Sequence, residues 1–457
     1  MTLLEFAKYV RFKPFDVSDP KGREEERYRL VALAAVTNLI SKMISAGVMI
    51  SAISMTTPYL GEERFGLWMT IASLVGLLTF MDIGAGNALT NRVAHVAASD
   101  NHEQLKKVIS GGLGFLFYIS AATIAILACI IYSIPVEILF KLKTELAQLE
   151  LVNALYAFAI LFGLNLFSNS VNRVFAGLQR SFEAHSASVV GSLLSLVAIL
   201  FAAYFEQGLS MLLICSMAGP IVAGLILLGR LAKMHLISIE DLGNATKHEY
   251  KNLVNSSGLF FILQLGTMIG WGMDALLISS TLGASAVAAY ALVQRMFQIG
   301  IQPISILNTP LWSAYADAYV RGEKSFIRQT LRNSIRNTFI YTVIVASILV
   351  ISGQSLLTTW TSGEIHVEIV LIIVFGIWAI IEALGNALAM FLNGCNVILQ
   401  QVVAVIMLCT LALPVKIYLL ANYGIAAMIA GFTAVYVLNF SIIYGLFFRK
   451  ALATKLS

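Results

Sequence analysis

Charge is scarce in this chain. Asp, Glu, Lys and Arg make up only 12% of its 457 residues against 58% hydrophobic ones, and the mean hydropathy is +0.83. A water-soluble domain has no use for so much apolar sequence, so a polytopic membrane protein is expected. Cysteine is nearly as rare: Cys129, Cys215, Cys395 and Cys409 lie in apolar runs with no CxxC spacing, which argues against a disulfide framework or a zinc site and leaves small core residues. The 6 histidines are scattered, so neither metal chemistry nor a cofactor is expected. The chain also lacks a phosphate-binding glycine loop, a nucleophile elbow and a metal-ligand set. No enzymatic activity and no nucleic-acid partner are expected. The first 30 residues carry both signs of charge without the apolar core or cleavage site of a secretory signal, and read as a retained, solvated tail.

What the chain does contain is itself twice. The stretch Leu60–Lys107 opens on a Leu-Gly turn, crosses the apolar run Phe65–Met81 and ends in a segment carrying Arg92, Lys106 and Lys107. A second Leu-Gly turn at Leu282 is followed by an apolar run and a basic tail at much the same distance. Gly61 and Gly283 stand 222 positions apart, Gly177 and Gly394 stand 217 apart, and Gly208 and Gly424 stand 216 apart. Three landmarks in step argue for an internal duplication, a common way of building transporters.

Set against a hydrocarbon core of roughly 30 Å, the apolar runs predict about 12 helices, about six per half. An even number returns each half to its starting side, so the halves relate by a pseudo-two-fold axis along the membrane normal. The predicted order is a tail at 1–31, a bundle at 32–229, a linker at 230–252, a bundle at 253–448 and a tail at 449–457. With both termini cytoplasmic, about 24 of the 30 Lys and Arg fall on the inner side and about 3 (Arg64, Lys141, Lys143) outside. The outer turns are short. A glycan polymerase or ligase working on that face would carry a large outer loop, and this chain has none.

Polar residues recur inside the predicted spans at helical spacing. Asn38, Ser41, Lys42 and Ser45 share one face of the first helix, and Gln264, Thr267, Trp271 and Asp274 one face of the seventh. Gln294, Gln298 and Gln302 align beside Arg295, the fourth helix carries Asn165, Ser168, Asn169, Asn172 and Arg173, and the tenth carries Glu382, Asn386 and Asn393. Lipid would leave these groups unsatisfied, so a hydrated cavity between the halves is expected. The competing reading is structural pairing within hairpins, because Lys42 matches Asp82 in depth and Asp274 matches Arg295. Lys416, behind Pro414, reads either as an intramembrane cation or as a side chain snorkelling to the interface. Glu382 has no depth-matched cation on its hairpin neighbour, which makes it the candidate for an ion or proton site, with a structural bond to Asn386 as the alternative.

From about residue 32 onward the chain resembles the polysaccharide transporter (Wzx-type flippase) branch of the multidrug/oligosaccharidyl-lipid/polysaccharide exporter superfamily. The blocks that carry the resemblance are YLGEERFGLWMTIASLVGLLTFMDIGAGNALTNRVA, FAGLQRSFEAHS and YGIAAMIAGFTAVYVLNF, in that order. The resemblance implies an all-α fold of two six-helix bundles in a V around a central cavity. It implies alternating-access translocation of an undecaprenyl-diphosphate-linked glycan, such as an O-antigen repeat unit of lipopolysaccharide, from the cytoplasmic to the periplasmic leaflet of the bacterial inner membrane. A coupling ion (H+ or Na+), membrane lipids and a glycan polymerase or chain-length regulator are the implied partners. From the resemblance only a general role passes to the intramembrane charges Lys42, Asp274, Arg295, Glu382 and Lys416; read from the residues themselves, the substrate-binding candidates are Lys42, Arg173, Arg295, Asn38, Asn169, Gln264 and Gln298, and the ion-coupling candidates Glu382 and Asp274. A multidrug/cation antiporter of the same superfamily shares the fold, but its first half would need carboxylates where this chain has Lys42.

Overall fold

Helix follows the apolar runs almost without interruption. The computed structural model describes residues 9–11, 13, 15–16, 20–77, 85–97, 101–136, 140–237, 266, 268–309, 311–320, 322–395 and 397–443, and no strand occurs among them. In chain order the helices are α1 (Pro20–Ser73), α2 (Ala85–Ala97), α3 (His102–Ser133), α4 (Glu145–Gly177), α5 (Ser181–Tyr204) and α6 (Leu209–Lys233). They continue with α7 (Asp274–Leu282), entered through a π-helical turn at Met268–Gly272, then α8 (Ala284–Asn308), α9 (Leu311–Val320), α10 (Lys324–Trp360), α11 (Ile369–Gly394) and α12 (Ile398–Ile443). Among the described residues, 8 helices are long and apolar enough to cross a membrane by length and composition: α1, α3, α4, α5, α6, α10, α11 and α12. Of these, α1 and α12 are each two helices merged across a glycine, at Gly61 and Gly424. The polar α8, with Gln294, Arg295, Gln298 and Gln302 along it, is not one of the eight.

The first helix begins well ahead of its apolar run, which starts near residue 32. Proline suits a first helical position because its missing N–H has no partner there, and the Lys, Arg and Glu residues of positions 21–29 are good helix formers. The other capping signals are conventional: Asn101 accepts from the Gln104 backbone N–H at 2.9 Å, and Arg230 and Lys233 sit in the last turn of α6 beside its negative dipole end.

The duplication seen in the sequence is present in the helices. α3 and α10 begin at His102 and Lys324, 222 positions apart, whereas α5 and α12 begin 217 apart at Ser181 and Ile398. α4 and α11 end on the paired glycines Gly177 and Gly394. The two Leu-Gly turns share a conformation, with φ/ψ of 67/175° at Gly61 and 99/165° at Gly283, a region open essentially to glycine alone. The third pair has diverged: Gly208 has φ −67° at the start of α6, and Gly424 has φ 83° inside α12.

The chain forms two compact units. The first comprises Met1–Met55, Leu78–Pro135 and Glu150–Gly258, and the second Thr56–Leu77, Val136–Leu149 and Leu259–Ser457. In the first, Val93 of α2, Ile109 of α3, Phe175 of α4 and Leu227 of α6 pack into one buried cluster. Asn165 ties α4 to α6 by donating to the Met217 carbonyl at 3.2 Å. In the second, Tyr315 of α9 meets Phe391 of α11 edge to face, and Asn308 of α8 bonds Ser334 and Thr338 of α10 at 3.1 and 2.9 Å. That unit also holds the loop before α4: the Glu63 carboxylate accepts the Lys143 and Thr144 N–H groups, and Lys141 Nζ donates to the Thr281 carbonyl at 2.9 Å. Some large side chains remain outside both cores. Tyr132 at the end of α3 is 85% exposed, Tyr204 at the end of α5 is 82% exposed, and Tyr423 before the α12 glycine is 67% exposed.

Candidate functional site

The densest polar constellation lies in the second unit, where α7, α8, α11 and α12 meet. The π-helical turn delivers Asp274 to the first position of α7, where its side chain is almost wholly buried. Such widened turns recur at functional positions because they re-aim a side chain and a carbonyl together. Lys416 of α12 meets it there: its Nζ lies 2.6 Å from Asp274 Oδ1, donates also to the Gly270 carbonyl, and sits 3.7 Å from the centre of the Phe432 ring. Tyr290 of α8 donates to Asp274 Oδ2 at 3.3 Å, and Gln294 Nε2 donates to the Tyr290 hydroxyl at 3.1 Å. A relay thus runs from Lys416 through Asp274 and Tyr290 to Gln294. Two charges so deep in an apolar bundle are tolerable only as a pair with their remaining valences filled, which is what this geometry provides.

This pairing decides between two pairs of alternatives. Lys416 does not snorkel to an interface, being 1% exposed, and Asp274 takes Lys416 rather than Arg295 as its ion partner. Arg295 turns along its own helix and donates to Gln298 Oε1 at 3.0 Å. Depth matching on neighbouring helices cannot find Lys416, since Asp274 and Lys416 are 142 positions apart.

Two cavities flank the constellation. One of about 100 Å³ is lined by Asp274, Tyr290, Gln294, Gln298, Phe375 and Glu382, among others, and is large enough for a few water molecules. The other, of about 270 Å³, has Trp378, Glu382, Asn386, Gln401, Tyr436 and Asn439 in its walls. Glu382 and Trp378 belong to both. The carboxyl of Glu382 takes a hydrogen bond from Trp378. Asn439 donates to the Ala404 carbonyl at 2.9 Å while its side-chain oxygen stays buried without a hydrogen-bond partner. Tyr290, Trp378, Tyr436 and Asn439 were not picked out by sequence; the aromatic ones resemble any other core ring until their polar tips are seen to converge.

The remaining predicted residues divide between the units. In the second, Glu382, Asp274 and Gln298 come together around the smaller cavity, with Arg295 bonded to Gln298. Gln264, Thr267 and Asp82 lie outside the described residues. In the first unit Lys42 is exposed on α1 and exerts its charge on His185 of α5, and one helical turn on, Ser45 bonds Ser192 of α5 at 3.2 Å. Asn38, Asn169 and Arg173 are half-buried there, and the Arg173 carbonyl accepts from Thr90 of α2 at 3.0 Å. Among the described residues no group of three or more His, Cys, Asp or Glu side chains could hold a metal ion.

Comparison with known proteins adds to this geometry. The family described as polysaccharide biosynthesis protein matches residues 31–314. No match is found among curated proteins. Solved structures match over nearly the whole length. One is an inward-facing multidrug resistance MATE family transporter of the MOP superfamily, 14% identical, covering 92% of this chain and 98% of that one with a TM-score of 0.74. Another is the lipid II flippase MurJ in an inward closed conformation, 9% identical, covering 90% and 87% with a TM-score of 0.71. A MOP superfamily transporter from Pyrococcus furiosus is 14% identical and covers 94% and 96% with a TM-score of 0.67. At these identities the likeness establishes the fold alone, an all-helical architecture shared with those structures.

Proposed function

Because the chain belongs to the polysaccharide biosynthesis protein family, we propose that it is a flippase for an undecaprenyl-diphosphate-linked oligosaccharide, the repeat unit of an O-antigen, capsule or exopolysaccharide. It works in the bacterial inner membrane with both termini cytoplasmic, moving the headgroup from the cytoplasmic to the periplasmic leaflet by alternating access of bundles 32–229 and 253–448. The family match is the observation that carries the glycan class, and a fold shared with transporters supports the mode of action.

The chemistry asks for a wet path. Each sugar hydroxyl stripped of water without a partner costs on the order of 1–3 kcal/mol, so a bare lipid route is closed to an oligosaccharide. Asn38, Asn169, Gln264 and Gln298 replace that water, Lys42, Arg173 and Arg295 meet the diphosphate through charge-assisted bonds, and the lipid tail stays in the bilayer. Glu382, walling both cavities of the second unit, carries the coupling ion, H+ or Na+. Asp274 takes part through Lys416, whose ammonium balances its charge.

Deletion in the native host followed by analysis of lipid-linked sugars tests the reading. The expected result is accumulation of one lipid-linked repeat unit on the cytoplasmic side. Lys42→Ala and Arg295→Ala are each expected to cut surface glycan about tenfold at normal protein level, the scale of one lost charge-assisted bond. Full surface glycan in both variants would remove the cationic contact with the diphosphate. Ion-coupled efflux of cationic dyes, with no lipid-linked sugar accumulating on deletion, would move the chain to the antiporter reading.

A further inference from the structure

The surroundings of Lys416 Nζ are those of a small bound cation. It has a carboxylate oxygen at 2.6 Å, a backbone carbonyl from the π-helical turn, and an aromatic face at 3.7 Å. Carboxylate and carbonyl oxygens are the ligands that hard cations such as sodium prefer, and the face of an aromatic ring attracts any cation. Nothing in this set is specific to an amino group. The carboxylate's second oxygen is held by Tyr290, so the first is free to serve one positive charge. The two side chains are 1% and 5% exposed, too deep for the ammonium to be shared with water.

We infer that Asp274, the Gly270 carbonyl and the Phe432 ring form a monovalent-cation site whose permanent occupant is the protein's own Lys416 ammonium. This deepens the coupling reading above: with a tethered resident, no free sodium enters at Asp274, and the exchangeable ion is left to Glu382. Removing the ammonium uncovers a buried carboxylate and a carbonyl facing the space the side chain filled. A proton or a small cation from solution then neutralises the carboxylate, and the salt comparison below tells the two apart.

The test needs no glycan substrate, so its outcome is independent of the flippase assignment. The purified full-length chain, Lys416→Ala and Asp274→Asn/Lys416→Met, each carrying Glu382→Gln so that the exchangeable site is silent, are melted in sodium, potassium, ammonium or N-methyl-D-glucamine chloride at equal ionic strength. The chain with Asp274 and Lys416 intact is expected to melt at the same temperature in all four. Lys416→Ala is expected to gain roughly 3–8 °C, saturably, with at least one of the small cations, by preferential binding to the folded state. The double variant, having neither charge, is expected to be indifferent to the salt. If Lys416→Ala does not accumulate, Lys416→Gln, which retains most of the side-chain length, undergoes the same comparison. An unchanged melting temperature across the salts when Lys416 alone is replaced, or a saturable sodium effect when Asp274 and Lys416 are both intact, overturns the inference.

Discussion

Glu26 is a local acid-sensitive point in the segment ahead of the first apolar run. Its carboxylate accepts from Arg29 at 2.6 and 2.7 Å and from the Phe15 N–H at 2.9 Å, joining residue 15 to α1. The hydrogen bond from Arg29 holds its pKa below the ordinary 4.5, although burial pushes the other way. A carboxylate depressed in the folded state stabilises it fully above the unfolded pKa and loses that contribution as pH falls through the folded value. The join is therefore expected to hold above about pH 4.5 and to loosen in more acid solution. Amide exchange at residues 15 and 26–29, corrected for intrinsic rates, should show this loosening, and Glu26→Gln should abolish its pH dependence. Single residues differ in how far they were legible. Glu382 and Asp274 stood out because charge inside an apolar run is costly wherever the run folds. The partner of Asp274 did not, because pairing is decided by which helices pack together, and nothing local to position 416 encodes that.

At the scale of elements, the Leu-Gly turns were readable from spacing alone, and the shared conformation of Gly61 and Gly283 is the physical reason for the glycine in each. A β-branched side chain at either would be forced into a sparsely populated region. Gly283→Val is expected to destabilise by about 1–3 kcal/mol, seen as a lower melting temperature or reduced protein level. Gly229→Ala, on a helix with open space at its Cβ, is the matched control and is expected to be neutral or mildly stabilising. Less legible was the start of α1, because its charged first turns carry helix propensity without the hydropathy that marks a span. The π-helical turn was equally silent, since its wider winding leaves no signature in composition.

For the whole molecule, the coupling reading predicts that Glu382→Gln inserts normally but transports lipid-linked glycan in vesicles about tenfold more slowly, and no faster when an ion gradient is imposed. Unchanged gradient dependence would take Glu382 out of that role. The exposed tyrosines add a constraint of another kind. A phenol ring prefers the boundary between headgroups and acyl chains, with its body in the grease and its hydroxyl among the phosphates. In the orientation proposed above, Tyr132 and Tyr204, at the ends of α3 and α5, and Tyr423, just before the glycine of α12, close spans on the periplasmic side. Under that proposal they would serve as moorings that set the vertical seat of the protein, and a thinner or thicker bilayer would have to deform around them or tilt the helices that bear them.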